Sequence, residues 1–206
     1  MKFYNSVGPN PRVVKMFMAE RGVTVPEVEI DLRGGENRRP PYNVSVNPAG
    51  QTPALQLDDG SVLTEVTAIC EYLDEVSPGQ SLIGDTPEAR AMTRMWTRRI
   101  DLKICEPLTN GFRFAEGLPM FTPRMRVLPE AAAGLKAMAQ DGYRWLDPMI
   151  AGRAFVAGDR LTLADVLLFA FVDFGFQVGQ PVAPECTNLL SWYERMKARP
   201  STNPTV

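Results

Sequence analysis

Two short stretches carry side chains that could act together. The first is SVGPNP, Ser6 to Pro11, which offers a hydroxyl at Ser6 and a carboxamide at Asn10 but no acid, cysteine or histidine. Such a turn cannot hold a proton as a general base or attack as a soft nucleophile, but it can donate hydrogen bonds to an anion. Asn10 followed by Pro11 reads as an N-cap and a first-turn proline, in which the side-chain oxygen accepts from the helix and the NH₂ remains to donate outward. Ser6 is the reserve donor of the same turn. The second stretch is NPAGQTPAL, Asn47 to Leu55, with Glu65 ten residues further on in LTEVTAICEYLDE. Thr52-Pro53 joins a loop to a predicted strand and suits a cis bond, because proline lowers the trans preference to about 0.5 to 1 kcal/mol. Glu65 falls at a predicted helix start, where free N–H groups favour anions.

Composition narrows the chemistry further. The 206 residues include no histidine, which closes the commonest imidazole routes to zinc binding and general base catalysis; no metal is expected. Cys70, Cys105 and Cys186 are widely and unevenly spaced, as suits reduced thiols in a cytosol, and the lack of C-x-x-C disfavours a disulfide oxidoreductase. Asp141, Asp147 and the other acids show no paired spacing for glycosidase or protease work. A net charge of −2 and a pI near 5.3 argue against a nucleic-acid partner. No apolar run approaches the ~20 residues of a membrane span, and MKFYNS lacks the apolar core of a secretory signal. A cytoplasmic protein without a membrane partner is expected.

The elements that must position these residues follow from periodicity. Lys2 to Asn5 reads as a short strand. A helix opens at Pro11, places Val14, Phe17 and Met18 on one face, and closes at Gly22. Val25 to Leu32 reads as a second strand, and Arg33 to Asn47 as a loop too rich in Gly, Pro and charge for a helix. Asp58-Asp59-Gly60 marks a hairpin between Ala54–Leu57 and Ser61–Leu63, and a helix runs from Glu65 to Val76. SPGQSLIGDTP, Ser77 to Pro87, reads as a linker. Beyond it the pattern is helical over Glu88 to about Phe114, Leu128 to Met149, Leu163 to Val178 and Leu189 to Lys197. The predicted architecture is a small α/β domain, residues 1–77, followed by an all-α domain, residues 85–206.

On these motifs the chain resembles the glutathione transferase family. NPAGQTPAL followed by Glu65 is similar to the family's NPxGxVPxL and the Glu-Ser pair at the next helix start. LTLADVLLF, Leu161 to Phe169, is similar to its buried S/T-x-x-D capping box, here Thr162 and Asp165, ahead of an apolar central helix. GENRRP, Gly35 to Pro40, and the segment around NGFRF, Asn110 to Phe114, look most like a theta-like bacterial and fungal subgroup. The resemblance covers almost the whole chain and implies an N-terminal thioredoxin-like domain followed by an all-helical domain. It also implies a cis Pro53 that leaves the main chain of Thr52 free to pair with the cysteinyl unit of glutathione. Glu65 and the Val66 N–H would meet the γ-glutamyl end, while Gln51 and Arg39, with Arg38 and Asn37 nearby, lie in the right part of the chain for the glycyl end.

The chain departs from the family pattern at two points. Val66 stands where the family has serine, so one hydroxyl donor to the γ-glutamyl carboxylate is lost and weaker glutathione binding is expected. No cysteine or activating tyrosine occupies the SVGPNP turn, which leaves Asn10, with Ser6 in reserve, to hold the glutathione sulfur as a thiolate. The implied activity is conjugation of glutathione, as co-substrate, to small electrophiles or reaction with peroxides, as in detoxification; a lyase or dehalogenase would use the same thiolate. The second substrate is expected between the domains, against Phe112, Arg113 and Phe114. A homodimer is also implied. The alternative is a ligand carrier or scaffold subunit of the same fold without catalysis.

Overall fold

The computed structural model describes residues 1–203; the last three residues of the predicted helical domain lie outside them. The described chain forms two compact units, Met1–Leu82 together with Asn203, and Ile83–Thr202, and the boundary between them falls inside the Ser77–Pro87 segment.

The first unit is thioredoxin-like. Strands β1 (Lys2–Asn5) and β2 (Glu27–Glu29) are parallel and joined by helix α1 (Pro9–Arg21). Helix α2 (Tyr42–Ser45) precedes β3 (Ala54–Gln56), which turns into β4 (Val62–Thr64) and then helix α3 (Val66–Val76). The sheet order is β2-β1-β3-β4, with β3 antiparallel to both neighbours. Val14, Phe17 and Met18 are buried as their spacing requires, together with Val13 and Met16, and α1 packs on α3, whose buried residues include Ile69, Cys70 and Leu73.

Helix α1 starts earlier than Asn10-Pro11 suggests. Its N-cap is Gly8, at φ 125° and ψ 168°, a conformation open to glycine and little else; Pro9 takes the first helical position. Asn10 is therefore the second residue of the helix and not its cap. Two prolines fit into one first turn because neither position needs an N–H there.

Two further differences arise from contacts across the chain. The second strand shrinks from the expected Val25–Leu32 to three residues. The Arg33–Asn47 loop contains a 3₁₀ turn, Glu36–Arg38, and α2, tied down by side-chain bonds described below. The start of the expected linker is also fixed. Arg21 is buried and pairs through Nε with Asp74 Oδ1 at 2.8 Å, while its other nitrogens donate to the carbonyls of Asp74, Ser77 and Gln80. Asp74 in turn accepts from Ser81 Oγ and the Leu82 N–H. A buried charge pair with its remaining valences filled in this way holds α1, α3 and residues 77–82 together.

The second unit is helical. Helix α4 (Pro87–Ile100) is capped by Thr86 Oγ1, which accepts from the Ala89 N–H. It continues through a stretch of π-helix, Asp101–Cys105, into α5 (Glu106–Arg113), followed by α6 (Leu118–Phe121) and α7 (Ala132–Leu146). The apolar α8 (Leu163–Gln177) is the core of the unit, and α9 (Thr187–Lys197) packs against it. The capping box forms as read from the sequence: Asp165 Oδ2 accepts from the Thr162 N–H and hydroxyl, both at 3.0 Å. Asp165 Oδ1 accepts from the Val156 N–H at 2.8 Å and Trp192 Nε1 at 3.0 Å. Complete burial pushes this carboxyl above its ordinary range against the pull of those four donors. No helix among the described residues is long and apolar enough to cross a membrane.

Candidate functional site

Strand register collects the separate motifs at one end of the sheet. Tyr4 lies opposite Ala54, and Ala54 lies opposite Thr64. Within two residues of those pairs come Ser6 just after β1, Thr52 and Pro53 just before β3, and Glu65 just after β4. The Ser6 and Thr52 hydroxyls meet at 2.5 Å, and the Thr52-Pro53 bond is cis. The main chain of Thr52 makes no backbone hydrogen bond among the described residues. It therefore presents an open β-type edge to a peptide.

Helices α1 and α3 begin at this end. In the first turn of α1, Pro9 and Pro11 have no N–H, and the Arg12 N–H reaches the Gly8 carbonyl at 3.4 Å. The Asn10 N–H is left as the main-chain donor of that turn, beside its own carboxamide on a half-buried side chain. Ser6, by contrast, is buried and already engaged with Thr52 and, at 3.3 Å, with the Val7 carbonyl.

Glu65 is the N-cap of α3 and sits at φ 69°, the one described residue other than glycine with positive φ. Strain of this kind costs on the order of 1 to 3 kcal/mol and gathers where ligands are clamped. Its carbonyl accepts from the Ile69 N–H, which leaves the N–H groups of Val66, Thr67 and Ala68 pointing out of the helix start. Three donors and a helix dipole make this a place for a carboxylate, and the exposed Glu65 side chain can pair with an ammonium beside it.

The polar loop holds the Gly50–Thr52 turn from behind. The buried Tyr42 hydroxyl donates to the Gln51 carbonyl at 2.7 Å, and Asn47 Nδ2 donates to the same oxygen at 2.9 Å. Asn37 Nδ2 donates to the Gly50 carbonyl at 2.6 Å, and Arg38 Nη1 to that of Ala49 at 3.1 Å. Burial, with Tyr4 adding to it, pushes the Tyr42 hydroxyl up to about 12, so it remains a donor well beyond neutral pH. Arg39 donates to the Gly34 and Gly35 carbonyls, and the Gln51 side chain is exposed. Asn37, Tyr42 and Asn47 are thus the positioning residues of the turn, and their partners lie too far along the chain to be read from local pattern.

Phe112 and Arg113 belong to the second unit. Phe112 stands edge to face with Phe121 and Phe174, and the Arg113 guanidinium lies over the Phe121 ring. All three cysteines are buried, and loss of solvent raises each thiol above its usual range, which makes them poor nucleophiles. Among the described residues no cluster of three or more His, Cys, Asp or Glu side chains is gathered to hold a metal ion.

Residues 7–76 match the model of the glutathione S-transferase N-terminal domain and residues 126–200 that of the C-terminal domain. Glutathione S-transferase 2 of Saccharomyces cerevisiae is 33% identical over 198 residues, covering 94% of this chain and 84% of the yeast protein. The chain belongs to the glutathione S-transferase family. A crystal structure of a glutathione S-transferase domain-containing protein from Marinobacter aquaeolei superposes with a TM-score of 0.92 at 34% identity, over 98% of this chain and all of the other. That of Gtt2 from Saccharomyces cerevisiae gives 0.91 at 31% identity over the full length of both. In this member of the glutathione S-transferase family, Thr52 and Glu65 both fall within the segment that matches the N-terminal domain.

Proposed function

We propose that this protein is a glutathione transferase that binds reduced glutathione along the open edge of Thr52 and directs its thiolate at small electrophilic carbon or peroxide centres. The observation that carries the reading is the convergence, fixed by strand register, of the open Thr52 main chain with the N–H groups at the start of α3. The cysteinyl unit pairs with Thr52 as an added strand. The γ-glutamyl carboxylate receives the Val66, Thr67 and Ala68 N–H groups, and its ammonium meets Glu65. Gln51 and Arg39 are the side chains offered toward the glycyl end.

The sulfur falls to the first turn of α1. A free thiol titrates near 8.5, and bringing it to about 6.5 needs roughly 2.7 kcal/mol of preference for the charged form. A helix N-terminus contributes about 0.3 to 1 kcal/mol, and one hydrogen bond to a charged group roughly 1.5 to 3. The Asn10 N–H and carboxamide together are sufficient, with no side chain taking the proton permanently. The proton leaves to solvent, and the thiolate attacks. Phe112 and Arg113 offer the second substrate an apolar face and a charge. Detoxification in a cytoplasm, as a homodimer, is the setting that this chemistry suits.

Calorimetric titration with glutathione, followed by turnover with a panel of electrophiles, tests the reading. Glu65→Ala should weaken binding at least about tenfold and Val66→Ser should tighten it, each by a charge-assisted bond. One observation favours a second reading. Val66 supplies no hydroxyl and the α1 turn no cysteine or tyrosine, as in a protein that keeps the fold as a carrier or scaffold. Absence of glutathione binding in both wild type and Val66→Ser would establish that alternative.

A further inference from the structure

Two tryptophans and three cations gather at one place on the second unit. Trp96 on α4 and Trp145 near the end of α7 have ring centroids 6.1 Å apart. The Arg99 guanidinium lies 5.3 Å from the Trp96 centroid and that of Arg153 lies 5.7 Å from it, while Lys103 Nζ lies 5.0 Å from the Trp145 centroid. Trp96 is buried and Trp145 half-buried, but Arg99, Lys103 and Arg153 are exposed. Their stems cover the rings while the charged heads reach water. Stacking holds a guanidinium in place over a ring without spending its N–H groups.

Nothing within the chain neutralises these charges. Arg99 and Lys103 are four residues apart, a spacing at which like charges on a helix repel. The acids beside them in sequence are committed elsewhere: Asp101 to Arg98 at 2.9 Å, Glu106 to Asn110 Nδ2 at 3.1 Å, and Asp147 to Asn188 Nδ2 and the Leu189 N–H. Among the described residues Arg99, Lys103 and Arg153 form no ion pair, although the chain has 24 acids against 22 bases. Arg153 gives one N–H to the Val156 carbonyl at 3.2 Å; Arg99 and Lys103 give none to a protein acceptor among those residues. Three cations with unspent donors match a compact ligand of more than one negative charge, and the guanidinium fork suits phosphate. Arg99 and Arg153 flank the same ring, so the gap between them is no longer than their two distances to its centre together, a span that two linked phosphates can bridge.

We propose that this surface binds a soluble molecule carrying a diphosphate, its two phosphates shared between Arg99 and Arg153 beside Trp96, with Lys103 closing on them from the Trp145 side. The site goes beyond the transferase reading and does not depend on it, since all five residues belong to the second unit and none is assigned to glutathione or to the second substrate.

The test titrates the full chain, without glutathione, with pyrophosphate, orthophosphate and acetate at low salt. Calorimetry gives the affinity, and tryptophan fluorescence reports the site, because an anion that draws the cations off the indole rings changes their emission. Pyrophosphate should bind at least about tenfold tighter than orthophosphate, acetate should not compete, and added salt should weaken the binding. Arg99→Gln and Arg153→Gln should each weaken it at least about fivefold, and Arg99→Lys, which keeps the charge and loses the fork, by less. Arg144→Gln removes the same charge from an arginine already paired with Asp141 and Glu185, so it should leave the binding unchanged. Circular dichroism checks the fold of each variant; should one fail to fold, the others decide. No binding of pyrophosphate, equal binding of the two phosphates, or an equal loss in Arg144→Gln overturns the proposal. Sedimentation with phosphatidylglycerol vesicles that pyrophosphate fails to displace also overturns it, by giving the surface to a lipid. A dimer mass that Arg99→Gln lowers and pyrophosphate does not affect does the same, by giving it to a second copy of the chain.

Discussion

The Ser6 and Thr52 hydroxyls lie 2.5 Å apart, one at the end of β1 and the other beside Pro53. Each hydroxyl has one proton, and one of the two is spent on this contact. Ser6 is thereby tied to the turn that presents the peptide edge, whereas the Asn10 carboxamide in the first turn of α1 caps nothing. Ultraviolet titration of bound glutathione should show a thiol pKa below about 8.5 in wild type. Asn10→Ala should raise it by about one unit, the equivalent of one modest hydrogen bond of ~1.4 kcal/mol, and Ser6→Ala by less. Identical values in wild type and Asn10→Ala would reduce Asn10 to a helix residue without a role in the chemistry.

Glu65 combines a carboxylate suited to the ligand with a backbone unsuited to the residue, at φ 69°. Glu65→Gly and Glu65→Ala both remove the carboxylate, so both should weaken glutathione binding at least about tenfold. They should differ in stability. Glycine adopts this φ without a Cβ penalty, so Glu65→Gly should be more stable than Glu65→Ala by about 1 kcal/mol in urea denaturation. Equal midpoints for the two variants would show that the backbone stores no strain there.

The Tyr42 hydroxyl supports the same turn from the loop side, through the Gln51 carbonyl. Tyr42→Phe should cost about 1 kcal/mol and loosen glutathione binding a few-fold, roughly the worth of one hydrogen bond, without moving the thiol pKa. The phenol also sets a pH dependence. Its folded value, raised from 10.0 to about 12, means that its contribution to stability is complete below pH 10 and is lost as pH rises toward 12. Over that window the denaturation midpoint of wild type should fall more steeply than that of Tyr42→Phe. Parallel curves would contradict the assignment.

What could be read from the sequence was set by local pattern. The face of α1 with Val14, Phe17 and Met18, the Asp58-Asp59-Gly60 hairpin and the Thr162–Asp165 box each depend on residues a few positions apart, and each has the expected form. The pattern of residue types opens α1 at Pro11 with Asn10 as its cap, and the structure corrects this to Pro9 with Gly8 as the cap, because the φ of Gly8 that sets the start cannot be read from residue types. The loop before NPAGQTP hid its helices because Asn37, Tyr42 and Asn47 find their partners only when residues 50 and 51 are in place. The strain at Glu65 was equally silent, since acids are ordinary at helix starts.

The buried carboxylate of Asp165 offers the sharpest test of the helical unit. Its Oδ1 takes the Val156 N–H and Trp192 Nε1, and its Oδ2 takes the Thr162 N–H and hydroxyl. The carboxamide in Asp165→Asn would have the same shape but one oxygen and one NH₂, so whichever way it turns, its NH₂ faces a backbone N–H that cannot reverse. The Thr162 hydroxyl can rotate to accept, but the main chain cannot. In the better orientation the Thr162 N–H alone is orphaned, at about 1 to 3 kcal/mol. Asp165→Asn should therefore destabilise the protein by about 2 kcal/mol in urea denaturation. Trp192→Phe, which removes one donor and leaves the other three in place, keeps the capping box intact and should retain the helical circular dichroism of wild type. A change below about 1 kcal/mol for Asp165→Asn would mean that the box tolerates a neutral acceptor and that the four bonds contribute little beyond geometry.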